Sequence, residues 1–391
     1  MTPAARLQAA IEIVDEVIRA ARESGAAADT IVARYFKVRR YAGSKDRRAV
    51  RELVFRAIRA FADPLSGRAA MLGLAAAEPA LHEAFDGSAH GPEPIAPGEP
   101  VAEPLAVPNW LRPRLDPLIT DDELPALLER APLDLRVNAL RGSFEAAAEA
   151  FPEARPTLHS PIGLRLPEGS NVLQSEAWAT GLVEVQDEGS QLICLGSEAQ
   201  PGMLVIDLCA GAGGKTLALA AMMRNAGRII ASDTDRGRLS KMRPRLERAG
   251  VTIAKPLLLD PKREAEALAE FAGSADLVFV DAPCSGTGTW RRNPETRWRI
   301  TPDRLEQLVT LQARLLDLAF TLVRPGGRLV YAVCSLLAEE GREQGAALER
   351  RSSLVPEQLP MPAGRAAGSG TLLSPFRDGT DGFFVARWRR P

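Results

Sequence analysis

The run Met203-Leu204-Val205-Ile206-Asp207-Leu208, followed at once by Cys209-Ala210-Gly211-Ala212-Gly213-Gly214-Lys215-Thr216, decides how the rest of the chain is read. Six residues, apolar except for Asp207, have the length of a buried strand, and the glycines after them mark a tight turn into a helix beginning at Lys215. Working outward, Arg228–Ser232 reads as the next strand and 236–249 as a helix. Asp276–Val280 is a further strand. A long helix over 303–323 aligns Leu305, Leu308, Leu311, Leu315 and Leu318 on one side. Pro325-Gly326-Gly327 breaks it, and Arg328–Val333 is another buried strand. Strands alternating with helices predict an α/β fold whose mostly parallel sheet is covered on both faces. Ligands of such sheets bind at the carboxyl ends of the strands.

The glycine-rich turn would let the backbone approach a ligand closely and would aim helix N-terminal N–H groups at it. A phosphate-cradling loop needs glycine five residues before the Gly214-Lys215-Thr216 triplet, where this chain has Cys209. A dinucleotide fingerprint starting at Gly211 needs a third glycine at 216, where it has Thr216. S-adenosylmethionine remains, and Asp233 at the end of the next strand is placed to bind ribose hydroxyls. NAD enzymes also carry an acid there, so the pairing alone leaves both cofactors open, beside a purely structural turn.

Two further motifs follow strands. Asp281-Ala282-Pro283-Cys284-Ser285-Gly286-Thr287-Gly288 brings a carboxylate and a thiol to the active edge, and Tyr331-Ala332-Val333-Cys334-Ser335 brings a second thiol. A buried cysteine is usually a small hydrophobe, the reading given to Cys194. Two of them at neighbouring strand ends, beside an acid and a cofactor loop, suggest chemistry. Carbon 5 of cytosine has no lone pair with which to attack a methyl group. A thiolate adding to carbon 6 makes carbon 5 nucleophilic, and a partly desolvated aspartate at ring nitrogen 3 eases that addition. A free thiol ionises near pH 8.5, so the site must activate it. His82, His90 and His159 all lie outside the α/β region and read as surface or structural residues.

Composition sets the frame. The 391 residues, 46% hydrophobic and 25% charged, are those of a globular chain long enough for two or three domains. The N-terminus enters an amphipathic pattern without a signal segment, and no apolar run reaches membrane-spanning length. The four cysteines (194, 209, 284 and 334) form no CxxC pair, so neither zinc nor a disulfide framework is expected, and a reducing cytoplasm is. A net charge of −1 argues mildly against nucleic acid. Arginines nevertheless cluster at 34–59 and 291–299, as phosphate grips or as solvated helix faces. Leu7, Ile11, Val14 and Ile18 recur at helical spacing. A second helix starts near Ser44 as N-cap, buries Val50, Val54, Ala57 and Phe61, and carries Arg48, Arg51, Arg56 and Arg59 opposite. Residues 1–85 thus read as a helical domain, 86–108 as a Pro/Gly-rich linker, 109–178 as a small α+β subdomain and 179–391 as the α/β domain. In the subdomain, Leu135–Asn138 and segments near Leu164 and Val183 are strand candidates, and Phe144–Phe151 a helix.

The ordered motifs resemble the Nop/Sun family of RNA cytosine-5 methyltransferases, especially its bacterial RsmB-like members. Besides the three already quoted, the likeness includes Glu184-Val185-Gln186-Asp187-Glu188-Gly189-Ser190-Gln191, Arg291-Arg292-Asn293-Pro294-Glu295 with Trp298, and Asp381-Gly382-Phe383-Phe384-Val385-Ala386. It implies a Rossmann-like class I methyltransferase with a seven-stranded sheet, preceded by an RNA-recognition-like subdomain and, more weakly matched, a NusB-like RNA-binding domain. It further implies that Cys209, Ala210, Gly211, Ala212, Gly213, Gly214 and Lys215 contact the methionine part of S-adenosylmethionine. Asp233 would bind its ribose and Asp260 lie near its adenine. Asp281 would stand at its reactive end and at the base. Cys334 would be the nucleophile, with Cys284 serving product release. Two positions depart from the family pattern: Val333 stands where threonine is usual, and Gly211-Ala212 where Ala-Pro is common. The expected partner is RNA, small-subunit (16S) ribosomal RNA first and transfer RNA as the alternative, with no metal, no membrane and a monomeric enzyme. The rival readings are a non-catalytic RNA-binding assembly factor and an NAD-dependent oxidoreductase.

Overall fold

Leu7, Ile11, Val14 and Ile18 all lie buried along α1 (Pro3–Arg22), which the Thr2 side chain caps by accepting from the Ala5 N–H at 3.1 Å. This apolar stripe packs on α3 (Ser44–Ala60) and α4 (Gly67–Ala75), while α2 (Ala28–Val38) buries Ile31 and Phe36 in the same core. Val50, Val54 and Ala57 are buried on α3 and Phe61 just beyond it, as their spacing predicts. Ser44 is not the N-cap. It is the first helical residue, Gly43 occupies the cap position, and no side chain caps that end. The basic face of α3 is partly spent internally: Arg51 pairs with Asp29 at 2.6 Å, Arg56 with Glu78 at 2.5 Å, and Arg59 donates to the Leu128 carbonyl.

The computed structural model describes residues 1–23 and 25–391. They divide into a helical unit (Met1–Leu115, Leu124–Glu129 and Thr289–Thr301) and an α/β unit (Asp116–Glu123, Arg130–Gly288 and Pro302–Pro391). The 86–108 stretch is extended but not wholly unpacked. The Leu105 N–H donates to the Ala60 carbonyl at 2.9 Å, and Val107 is buried.

The arginines of 291–299 are neither phosphate grips nor a solvated face throughout. The Arg297 guanidinium, 1% exposed, sits among the carbonyls of Ile58, Phe61 and Ala106. Trp298 Nε1 donates to the Phe61 carbonyl at 3.0 Å, and Arg299 reaches that of Ala26. Burial pushes Arg297 down to about 9, which leaves it charged at neutral pH and dependent on those carbonyls.

In the α/β unit, β1 (Leu133–Val137), β2 (Arg155–Pro156), β3 (Gly163–Leu166) and β4 (Val183–Val185) form an antiparallel sheet in the order β2-β3-β1-β4. The second sheet contains β5 (Leu204–Asp207), β6 (Arg228–Asp233), β7 (Ala254–Leu258), β8 (Ala275–Asp281), β9 (Val323–Val333), β10 (Val355–Glu357), β11 (Arg365–Ala367), β12 (Gly370–Leu373) and β13 (Phe383–Arg389). Its order is β11-β12-β13-β9-β8-β5-β6-β7, with β10 pairing β13. Strands β7, β6, β5, β8 and β9 are parallel neighbours, and β13 runs antiparallel to β9. Counted from β7 to β12 this is the seven-stranded class I methyltransferase sheet, to which β10 and β11 add two short strands. Central strands such as β8 are buried on both faces, hence their unbroken Val/Phe/Leu runs.

Two elements differ from the sequence reading. The helix over 236–249 is two pieces, Arg236–Leu239 and Met242–Ala249, because Pro244 has no N–H for the Ser240 carbonyl. Pro325-Gly326-Gly327 does not separate helix from strand. Strand β9 begins at Val323, and the Gly326 N–H donates to the Arg390 carbonyl at 2.8 Å, with the irregularity absorbed between Ala275 and Leu277 of β8. Among the described residues, no helix is long and apolar enough to cross a membrane.

Candidate active site

Three adjacent parallel strands each end on a carboxylate: β5 on Asp207, β6 on Asp233 and β8 on Asp281. In register, Asp281 faces Ala332 of β9, so Cys334 lies two residues beyond that level and Cys284 three. The two thiols meet, Sγ to Sγ, at 3.3 Å. The Gly288 N–H donates to the Cys334 carbonyl at 3.0 Å, tying the second loop to the end of β9.

The glycine-rich turn takes the conformation its composition requires. Gly211 and Gly213 have φ of 56° and 87°, and a Cβ on Gly213 would approach Met242 Cγ to 2.8 Å. The helix Gly214–Met222 follows with no side-chain cap, leaving its first N–H groups open toward the sheet edge. Asp233, 6% exposed, accepts from the Gly211 N–H at 2.7 Å on one oxygen and from Asp235 at 2.7 Å on the other. Each oxygen retains a lone pair for a ribose hydroxyl. Asp260 is exposed, next to Leu259, whose N–H donates to the Asp233 carbonyl.

The edge is acidic, and this discriminates among cofactors. Lys215, in the first turn of the helix, places Nζ 2.5 Å from Asp281 Oδ2. Burial opposes its charge, but Asp281 outweighs that and holds the ammonium protonated well above its ordinary value. Asp207, fully buried, is pushed up to about 7, chiefly by burial, against the Thr216 hydroxyl at 2.6 Å and, more weakly, the charge of Lys215. Asp281 is paired with Lys215 and Asp233 lies 3.8 Å from Arg238, but acids end all three neighbouring strands, and such an edge suits a cationic sulfonium better than a pyrophosphate. Cys209 is raised far above its ordinary value, by burial and then by Asp233, which makes it an inert thiol. Cys284 is raised as well, by its hydrogen bond to Cys334, by burial and by the charges of Cys334 and Glu340.

Sequence reasoning named the loop, the acids and the thiols but missed what joins them. The ion pair between Lys215 and Asp281 links two motifs that it had kept separate. It also overlooked Glu340, fully buried behind both cysteines, and Gln312, which reaches it from the long helix Pro302–Leu322. The one available signal was that each active-edge cysteine is followed by serine.

A seven-stranded core of this order, a glycine turn with an open helix end, a ribose-placed carboxylate and an edge suited to a cation define a class I S-adenosylmethionine-dependent methyltransferase. The profile of the family described as 16S rRNA methyltransferase RsmB/F matches residues 195–389. A ribosomal RNA small subunit methyltransferase B from Xanthomonas campestris is 34% identical over 295 residues, covering 73% of this chain and 67% of that protein. The chain belongs to the RsmB/F methyltransferase family. Among solved structures, a methyltransferase homologue from Pyrococcus horikoshii is similar over 69% of this chain and 90% of its own, at 27% identity and a TM-score of 0.61. The protein PH0851 shares the fold over 100% of this chain and 99% of its own, at 23% identity and a TM-score of 0.78.

Proposed function

We propose that this protein methylates carbon 5 of a cytosine in small-subunit ribosomal RNA through a covalent bond between Cys334 and the base. The observation that carries the reading is the thiol pair, 3.3 Å apart, one residue past β9 and three past β8, beside the Lys215–Asp281 ion pair. Neither an oxygen nor a nitrogen acceptor would need two thiols there. S-adenosylmethionine, when bound, supplies the methyl group. Cys334 Sγ adds to carbon 6, and the ring's electron pair moves to carbon 5, which takes the methyl. A proton held between Asp281 and ring nitrogen 3 draws the ring's electrons as the sulfur adds, and Lys215 keeps Asp281 in place. Removal of the carbon-5 proton then restores the double bond as the sulfur leaves, and Cys284 serves that release. The extruded base requires an unstacked cytosine.

The substrate class rests on the family and on the names of the relatives. The helical unit adds an RNA-contacting surface in this reading: Lys37, Arg40 and Arg48 are exposed, as is Tyr41 at 74%, which offers a ring on which a base can stack.

The deciding experiment incubates Cys284→Ala protein with S-adenosylmethionine and unmodified small-subunit ribosomal RNA and runs a denaturing gel. A slow-migrating protein–RNA adduct is expected, and it should vanish when Cys334 is also replaced. No adduct from Cys284→Ala, with methyl transfer to the same RNA by the wild type, would sink the assignment of the cysteines. Adduct formation on transfer RNA in place of ribosomal RNA would move the substrate and keep the chemistry.

A further inference from the structure

Glu340 is 0% exposed and has no ion-pair partner among the described residues. Burying a carboxylate without a cation is costly unless neutral donors satisfy it. Here four do, and they come from few places. The Ser285 N–H and Gln312 Nε2 both donate to Oε1 at 2.9 Å. The hydroxyls of Ser285 and Ser335 both donate to Oε2, that of Ser335 at 2.5 Å. These serines directly follow Cys284 and Cys334. Gln312 Nε2 also donates to the Pro283 carbonyl at 2.9 Å, bracing the residue before Cys284, and the Tyr331 hydroxyl donates to the Glu340 carbonyl at 2.7 Å. A single carboxylate oxygen therefore sits at the crossing of the two loops.

From this geometry we infer that Glu340 is the positioning residue of the thiol pair, holding Ser285 and Ser335, and through them Cys284 and Cys334, at the separation their chemistry uses. The proposal rests on the covalent reading for its purpose but not for its geometry. A neutral amide would hold the loops less tightly. With Gln in place of Glu340 the two serine hydroxyls must turn round and accept from an N–H, and the charge-assisted bonds they now donate are lost while the side-chain volume stays the same. The carboxylate's charge also lies beside Cys284 and helps keep that thiol protonated.

The test measures the separation without RNA. Diamide takes two hydrogens from a thiol pair to give a disulfide and its own hydrazine, at a rate set by how the sulfurs meet. In full-length E340Q the Cys284–Cys334 disulfide, read by mass spectrometry, should form about tenfold more slowly than in wild type. Its S-adenosylmethionine dissociation constant should stay within about threefold, and methyl transfer to unmodified ribosomal RNA should fall on the order of a hundredfold. Cys194, buried at 1%, should remain shielded from alkylation. A wild-type disulfide rate in E340Q would overturn the proposal. If Cys194 becomes reactive, E340Q has lost its fold and the S285A/S335A double variant decides by the same rate, since it leaves Glu340 its bonds from the Ser285 N–H and Gln312. A slowed disulfide in E340Q, alongside no adduct from the Cys284→Ala protein, would keep the clamp and reject the cytosine-5 reading.

Discussion

Glu123 and the carboxylates at the sheet edge are buried in the same α/β unit under opposite conditions. Glu123 is 0% exposed and lies between two guanidinium groups, Arg365 at 2.9 Å and Arg377 at 3.3 Å, with the Ser374 hydroxyl at 2.6 Å. Burial pushes its carboxyl up, but Ser374 and Arg365 outweigh that and hold it below its ordinary value. Asp207 is equally buried, and among the described residues it meets only a threonine hydroxyl, with one oxygen left without a hydrogen bond. Glu340 meets only neutral donors. Away from the strand ends the fold neutralises a buried acid with arginine. At the strand ends the compensation is thinner: Asp281 has Lys215, Asp233 has Arg238 no nearer than 3.8 Å, and neither Asp207 nor Glu340 has an ion-pair partner among the described residues, at the edge where a cationic cofactor and an electron-poor base would bind. Stability and chemistry are thus served by the same side-chain type, separated by what stands opposite.

The contrast fixes opposite signs of pH dependence. Asp207 ionises near 3.8 when unfolded and near 7 when folded, so between those values the native state holds the extra proton. Its contribution to stability is full at the acid end of the window and is lost as pH rises through it. Three pKa units correspond to as much as about 4 kcal/mol. Denaturant midpoints of wild type and Asp207→Asn, compared from pH 4 to pH 8, should diverge by that order, with the variant gaining. Parallel curves would break the comparison. The Glu123 effect is smaller and has the other sign. Its depressed value means stability present above about 4.5 and lost as pH falls through the folded value. Cutting one member of a fully buried pair costs about 3–5 kcal/mol, but Arg365 and Arg377 are 27% and 50% exposed and can rehydrate. Glu123→Gln should therefore lose about 2 kcal/mol at pH 7, with the deficit shrinking below pH 4. A loss that grew in acid would show that the arginines do not hold the charge.

The same contrast explains what could be read before the fold was known. The central stretches of β5, β8 and β9 (204–206, 277–280 and 329–333) announce themselves because both faces are buried there and no charged residue interrupts them. The cofactor loop is local, so its glycines, Asp233 and Lys215 stand close together in sequence. Strands β10 and β11 are three residues each, built from Val-Pro-Glu and Arg-Ala-Ala, and exist only because β13 and β12 offer them an edge. Arg297 looked like a surface cation because the carbonyls that enclose it lie more than 190 residues away in sequence. Glu340 left no pattern for a similar reason. Its donors come from residues 285, 312 and 335, which only the pairing of β8 with β9 and the packing of the long helix bring together. Clamps that act across the fold are invisible to spacing, whereas loops that wrap a ligand are not.

Thr216 tests the edge at its finest scale. Among the described residues its hydroxyl is the only hydrogen-bond partner of the Asp207 side chain, and both residues are fully buried. Valine has nearly the same shape, so Thr216→Val removes one hydrogen bond and little else. Where Asp207 is ionised, that bond is made to a charge and is worth more than the bond made by a neutral acid. The variant should therefore lose about 1 kcal/mol more at pH 8 than at pH 5. Without the hydroxyl, the ionised form is less favoured still, so the Asp207 transition should move above 7. Measured by denaturant unfolding at the two pH values, an equal cost at both would mean that Asp207 does not change charge between them. The uncompensated acid would then have to be sought in Glu340 alone.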